Sequence, residues 1–268
     1  MFNYLNFYIG TAGWDYKDWI GTFYPKNLKR DFLLKFYSNH FNIIEINSTF
    51  YKITHHDTYK KWKDNVPNDF IFVVKAWKKI THEINNNPLN QKLQEFSKII
   101  EDLYPKLKLI LFQFPPWFNP TEENYYNLIE IKEEIPKKLL QIYEFRNNSW
   151  FKSKKLIRIS DSDRIIIATT YLKGLKPFYL PNQARYYIRL IGDRQLNTFS
   201  RVQRNQDFVI SHLLKKLEKI KKQSETKEVF IIVNNHFTGF APETANHLKN
   251  LLSLPVKRFN NQKTLFDF

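Results

Sequence analysis

Residues 89–145, LNQKLQEFSKIIEDLYPKLKLILFQFPPWFNPTEENYYNLIEIKEEIPKKLLQIYEF, run twice through one cycle. Leu93, Phe96, Ile99, Ile100 and Leu103 recur at three- and four-residue spacing, which predicts a helix with one apolar face over Leu89 to Leu103. The apolar run Leu109 to Phe114 follows, too short for a buried helix and therefore a strand. A second helix over Glu122 to Ile135 and a second strand over Leu139 to Phe145 repeat the pattern. Helices alternating with short apolar strands make the strands parallel and cover the sheet with the helices.

Outward from this stretch the same alternation predicts strands at Tyr8 to Gly10, Ile43 to Ile46, Ile71 to Lys75, Ile165 to Thr169, Tyr186 to Leu190 and Val229 to Val233. Further helices are predicted over Asp31 to Phe41, Phe208 to Lys221 and Glu243 to Leu252, the last introduced by Pro242. The connection Tyr171 to Ala184 differs: Gly174, Pro177 and Pro181 predict an irregular loop. Eight strands with interleaved helices in roughly 250 residues match an α/β fold of the TIM-barrel, (β/α)8 type. The domain expected is residues 1–259, with a short tail over 260–268 and no linker between two cores. A doubly wound open sheet is the alternative, but no glycine-rich phosphate loop follows any strand.

Composition narrows the function classes. Cysteine is absent, which excludes disulfides, thiolate metal sites and a cysteine nucleophile. The first ten residues lack the basic-then-apolar order of a signal peptide, and no apolar run approaches the ~18 residues of a membrane span, so a cytoplasmic protein is expected. The net charge is +16, and between Phe151 and Arg204 twelve Lys or Arg face three Asp, a local excess of +9. That suits a phosphate-rich partner, DNA included, although a lysine-rich composition also produces plain solvated faces.

In a β/α barrel the residues just after each strand form the active mouth. The exits supply Trp14 and Tyr16, then Glu45, Asn47, Phe50 and Tyr51, then Lys75, Trp77 and His82. Gln113 and Trp117 follow, then Glu144, Arg146 and Trp150, then Arg189, and finally Asn234, Asn235 and His236. Polar groups that interrupt apolar runs are costly inside a barrel unless a ligand or an ion network compensates them.

Several ordered motifs in these exits carry a resemblance. Gly10-Thr-Ala-Gly-Trp-Asp-Tyr16, Phe23-Tyr-Pro25, Glu45-Ile-Asn-Ser-Thr-Phe-Tyr51, Phe72-Val-Val-Lys-Ala76, Thr81-His82, Gln113-Phe-Pro-Pro116, Glu144-Phe-Arg146 with Trp150, Tyr187-Ile-Arg189 and Val233-Asn-Asn235 closely resemble the YecE-like family called domain of unknown function 72. The resemblance runs through nearly the whole chain. It implies an eight-stranded β/α barrel with a pocket at its mouth, and no particular reaction. One departure is Ala168-Thr169-Thr170 at the sixth strand, where relatives commonly place an acidic residue, which weakens any mechanism needing a third carboxylate.

Lys75, Arg146 and Arg189 come from three strands and converge on the axis, where unpaired cations repel, so an anion is expected among them. Glu45 and Glu144 would instead neutralise them in a buried network, or orient them, or act as a general acid/base pair of the glycosidase kind. Lys75 is a candidate charge or, if desolvated, a base. A divalent metal on Glu45, Glu144, His82 and His236 is a weaker expectation, because no HxH or HExxH spacing supports it. Asn47, Gln113, Asn234 and Asn235 are candidate orienting groups. Trp14, Tyr16, Phe50, Tyr51, Trp77, Trp117 and Trp150 either stack on a substrate or seal the barrel top.

The tail Asn260-Asn-Gln-Lys-Thr-Leu-Phe-Asp-Phe268 resembles a sliding-clamp-binding peptide. Gln262, Leu265 and Phe268 fit the motif used on the clamp PCNA, and Gln262, Leu265 and Phe266 fit the bacterial version, although Phe266 and Phe268 are not adjacent. The alternative is a tail that folds back onto the barrel. Together these features predict a barrel enzyme of hydrolase type, nuclease- or phosphoesterase-like, acting on a phosphate-containing substrate such as DNA or a nucleotide and recruited to a clamp. The alternatives are an enzyme on a small sugar or sugar phosphate, and a non-catalytic clamp-associated module.

Overall fold

The computed structural model describes residues 5–52, 54–84 and 88–259. The clamp-motif residues Gln262, Leu265, Phe266 and Phe268 lie outside the described residues. The strands are β1 (Asn6–Ala12), β2 (Ile43–Ile46), β3 (Ile71–Lys75), β4 (Leu107–Phe114), β5 (Leu140–Phe145), β6 (Ile165–Ile167), β7 (Thr169–Leu172), β8 (Arg185–Gly192) and β9 (Glu228–Val233). All neighbours pair in parallel, in the order β6-β5-β4-β3-β2-β1-β9-β8-β7.

The two ends of that order, β6 and β7, are consecutive in the chain and separated only by Ala168. The nine segments therefore make eight staves of a nearly closed barrel, and the sixth expected strand is one stave in two pieces. Its backbone changes neighbour at the break: Ala168 N–H donates to Tyr143 O at 3.0 Å, whereas Thr169 is in register with Ile188 of β8. The side-chain amide of Gln183 fills the edge left beside β6, accepting from Ile167 N at 2.7 Å and donating to Ile167 O at 3.3 Å. Buried backbone groups need partners, and here a side chain supplies them.

Cover helices follow most strands: α1 (Leu33–Ser38), α2 (His56–Asp64), α3 (Lys78–Thr81), α4 (Leu89–Ile100), α5 (Glu122–Glu134), α6 (Lys154–Ser160), α7 (Asp207–Lys221), α8 (Asn235–Thr238) and α9 (Ala241–Leu251). The helices α2, α3, α6 and α8 are absent from the sequence expectation. In α2 only Tyr59 is buried among charged neighbours, so no apolar stripe announces it. Residues 173–184 form no helix, as expected. The N-cap bonds Thr121 Oγ1 from Asn124 N (3.1 Å) and Ser153 Oγ from Lys155 N (3.2 Å) start α5 and α6, and Pro242 sits in the first turn of α9.

The core divides in two. Outward-facing strand residues such as Ile44, Phe72, Ile110, Tyr143 and Ile231 pack under the helices. Inward-facing residues, among them Ala12, Ile43, Val73, Leu109, Leu111, Ile142, Ile166, Phe230 and Ile232, fill the barrel itself. Tyr8 stacks on Phe230 with centroids 5.1 Å apart at the lower end. The glycine at position 10 is required there, since a Cβ would stand 2.1 Å from Ile43 O of the adjacent stave. No helix among the described residues is long and apolar enough to cross a membrane.

Candidate functional site

Side chains alternate across a strand, so each stave contributes one row to the barrel interior. The inward rows begin apolar and end polar: Ile43 leads to Glu45, Val73 to Lys75, Leu111 to Gln113, Ile142 to Glu144, Ala168 to Thr170 and Tyr187 to Arg189. Six buried polar groups from six staves thus close the top of an otherwise dry core. In sequence terms each stands two residues after a buried apolar side chain.

Three of them form a locked lattice. Arg189 is bidentate on Glu45, Nη2 to Oε1 at 2.6 Å and Nε to Oε2 at 2.9 Å, and its Nη1 donates to Glu144 Oε2. The remaining oxygen capacity is also taken up. Glu45 accepts from Tyr187 Oη at 2.8 Å and from Asn47 Nδ2 at 2.9 Å, and Glu144 accepts from Thr170 Oγ1 at 2.8 Å. Burial opposes charge on Arg189, but Glu144 and Glu45 outweigh it and hold the guanidinium more firmly protonated than usual. Burial alone would raise the Glu144 carboxyl, yet Arg146, Arg189 and the Thr170 bond pull it down to about 2. A carboxyl so acidic cannot donate a proton near neutral pH, which corrects the general-acid half of the acid/base expectation for Glu144. For Glu45 the same role is opposed by its four donors. The expected convergence of three cations on a shared anion is corrected for Arg189, whose three guanidinium nitrogens each donate to a carboxylate.

Lys75 and Arg146 are differently placed. Lys75 is 9% exposed, donates to Gln113 Oε1 at 3.0 Å, and holds its Nζ 3.8 Å from the centre of the Phe50 ring. Among the described residues it has no ion pair. Burial, followed by the Arg189 charge, lowers its amine to about 7, against the weaker pull of Glu144 and Glu45. The Arg146 side chain is 6% exposed, and its Nη2 lies 2.7 Å from Glu144 Oε1. That contact lacks hydrogen-bond alignment, so Nε and Nη2 are both buried without an acceptor. Unpaired buried donors are rare because each forfeits its hydration without return. Three cations thus face two carboxylates, and the surplus sits on the side of β3 and β5.

Around this pair stands His82, whose ring meets Phe50 edge-on at 4.9 Å and whose Nδ1 is 2.9 Å from Thr81 Oγ1. Burial, then Lys75 and Arg146, depress its imidazole to about 4, so it is neutral. Tyr51 is 74% exposed and Trp117 51% exposed at the rim, free to meet a ligand. Other candidates have structural duties. Trp150 is fully buried, stacked on Phe145 at 4.5 Å with its Nε1 donating to Phe118 O at 2.7 Å. Asn235 Oδ1 accepts from Trp19 Nε1 at 3.2 Å and Ala241 N at 3.0 Å, and Asn234 caps α8 through His236 N at 3.0 Å. Trp14 packs edge-on against Trp62, and Tyr16 donates to Ala12 O at 2.7 Å. Asn47 supports Glu45 instead of facing solvent.

The metal expectation is also corrected: among the described residues no three His, Asp or Glu side chains group to hold an ion, and the Glu45 and Glu144 oxygens are occupied by arginine, hydroxyl and amide donors. Two participants, Thr170 and Tyr187, appear in the sequence motifs without a role assigned to them. Both lie on the inward rows, Tyr187 two residues before Arg189 and Thr170 in register with it, so strict counting by twos would have found them. A cavity of about 1070 Å³ lies away from this chemistry, outside the barrel between α7 and α9, bounded by Gln206, Ile210, His247, Leu251 and Phe259. Size favours that hollow, but the incompletely hydrogen-bonded Arg146 and the perturbed groups favour the barrel mouth, and function follows chemistry more closely than volume.

Fold and site together define a parallel β/α barrel with an asymmetric charged mouth. The family model described as "Protein of unknown function DUF72" matches residues 8–265, and the chain belongs to that family. It is 30% identical to the UPF0759 protein YunF of Bacillus subtilis (strain 168), over 92% of this chain and 95% of that one. It is 26% identical to the UPF0759 protein YecE of Escherichia coli (strain K12), over 43% of this chain and 40% of that one. Among solved structures, a DUF72 family protein from Thermotoga maritima MSB8 superposes with a TM-score of 0.76 at 24% identity, covering 92% of this chain and 99% of that one. Another from Enterococcus faecalis V583 gives 0.72 at 21% identity, covering 94% and 100%. These two likenesses establish the barrel fold.

Proposed function

We propose that this barrel is an enzyme acting on a small phosphate-containing compound, whose anionic group rests on Arg146 with Lys75 beside it. The observation that carries the reading is the pair of buried Arg146 donors, Nε and Nη2, that make no aligned hydrogen bond even though Nη2 lies 2.7 Å from Glu144 Oε1. A planar guanidinium presents such donors in the geometry of an oxyanion. When Lys75 is protonated, three cations face two carboxylates, and an arriving anion would balance the surplus.

Depth favours a small molecule or nucleotide over duplex DNA, since both cations are under a tenth exposed. The exposed Tyr51 and Trp117 at the rim suit a ring or sugar face attached to that anion. Thermal melts with inorganic phosphate, sugar phosphates and nucleotides test the reading. A ligand at a hundred times its Kd stabilises by about 2.7 kcal/mol, a rise of roughly 5–10 °C, and Arg146→Met should abolish it. No rise with any phosphate compound, or an equal rise in the variant, would remove the proposal.

Recruitment to a sliding clamp is a second, separable proposal, supported by the sequence pattern of Gln262, Leu265, Phe266 and Phe268. Titration calorimetry of the 260–268 peptide against a clamp decides it, and absence of heat would end it.

A further inference from the structure

We infer that Lys75 is a covalent amine centre, condensing with the carbonyl carbon of a small phosphorylated ketone or aldehyde whose phosphate is held by Arg146. This rests on the reading of Arg146 as an anion anchor and goes beyond it in naming the reacting group and its partner.

An amine that attacks a carbonyl must be neutral, shielded from water and free of a carboxylate that would keep it protonated. Lys75 ends the inward row of β3, and the carboxylates that could have paired with it, Glu45 and Glu144, are taken by Arg189. Its hydrogen bond to Gln113 at 3.0 Å uses one N–H and leaves the lone pair of the neutral amine directed elsewhere. The Phe50 ring 3.8 Å away shields a flank. The groups facing it are Arg189 from β8, Glu45 from β2, Glu144 and Arg146 from β5 and the stretch after it, and neutral His82 beyond α3. With its amine at about 7, half of Lys75 is neutral at neutral pH. That fraction is roughly a thousandfold larger than for a solvated lysine. A lysine kept only as a point charge for phosphate would gain nothing from neighbours that discharge it, and Arg146 already supplies the anion contact.

In the step proposed, the Lys75 lone pair forms the C–N bond while the carbonyl π pair moves onto oxygen, which takes up a proton. The oxygen then departs as water with both protons that nitrogen first carried, and a C=N bond remains. Amine and carbonyl become imine and water, and nothing is oxidised or reduced.

The test is reductive trapping. The full chain is incubated with dihydroxyacetone phosphate, reduced with sodium borohydride and mapped by peptide mass spectrometry. Lys75 should carry the reduced adduct at about tenfold or greater excess over any other lysine, following its larger neutral fraction. The readout is made in the unsubstituted chain, so it does not depend on a variant folding. In Lys75→Arg, checked by circular dichroism, labelling should fall to the level of the other lysines. Unphosphorylated dihydroxyacetone should label Lys75 about tenfold less, the equivalent of one lost anion contact of roughly 1.4 kcal/mol. Adducts spread evenly over the lysines overturn the inference. Thermal protection by the phosphate compound without an adduct on Lys75 also overturns it, while leaving the anion site standing. Equal labelling by both ketones overturns the Arg146 anchor instead.

Discussion

Two halves of one mouth use the same residue types in opposite ways. Across β2, β5 and β8, Arg189 is matched by Glu45 and Glu144, and Tyr187, Asn47 and Thr170 complete every oxygen. Across β3 and the exit of β5, Lys75 has a neutral amide and a ring face for company, and Arg146 pairs with Glu144 in charge but leaves Nε and Nη2 without an aligned hydrogen bond. The first half is saturated and holds staves together; the second is unsaturated and costs stability. Burial of an uncompensated cation that the fold does not need is better explained by a ligand than by packing. Position on a stave therefore says less about a cation's role than what its neighbours leave undone.

The largest effect should come from removing the keystone of the saturated half. Arg189→Met strands two carboxylates in a dry interior and should lose about 4 kcal/mol, on the order of 10 °C in Tm. A loss no greater than that of a surface arginine would erase the contrast between the halves.

Acid comes next. Glu144 sits near 2 in the fold against 4.5 when unfolded, so its stabilisation is complete above about pH 4.5 and drains away as pH falls toward 2. Urea unfolding should show about 3 kcal/mol lost across that window, and Glu144→Gln should flatten the slope. Parallel curves for the two proteins would show the carboxylate to be uncoupled.

The unsaturated half should respond with the opposite sign. The folded amine of Lys75 lies near 7, below its ordinary 10.5, so the cost of its charge is full below pH 7 and vanishes as pH passes 10.5. Lys75→Met should therefore raise stability by about 2 kcal/mol at pH 6 and by progressively less toward pH 10, while ligand-induced protection disappears. A destabilised variant would place Lys75 in the saturated half after all. The smallest effect sharpens the boundary: Thr170→Val, removing a donor to a buried carboxylate, should lose about 1.5 kcal/mol by chemical denaturation.

Much of this was legible in the sequence, for reasons that separate local from distant information. The staves could be read because each is a short apolar run between periodic segments, a pattern carried by neighbours in the chain. Glu45, Lys75, Gln113, Glu144 and Arg189 stood out because each breaks such a run at its end. Which arginine would be spent on carboxylates could not be read, because it depends on the register of β8 against staves more than forty residues away in sequence. Thr170 and Tyr187 carried no assigned role since a hydroxyl near a strand end looks like ordinary strand composition until its facing side is known. Trp150 misled because an aromatic after a strand reads alike whether it greets a ligand or stacks beneath a loop.

The interruption of the sixth stave at Ala168 has its own significance. Thr170 lies just past the gap and reaches over it to Glu144, and Arg189, its register partner, spans the same distance. The charged centre is thus assembled by the very bonds that fasten the hoop. A chain with that clasp undone would carry all the same residues without the arrangement that brings them together, so the charged cluster exists only once the circle is complete.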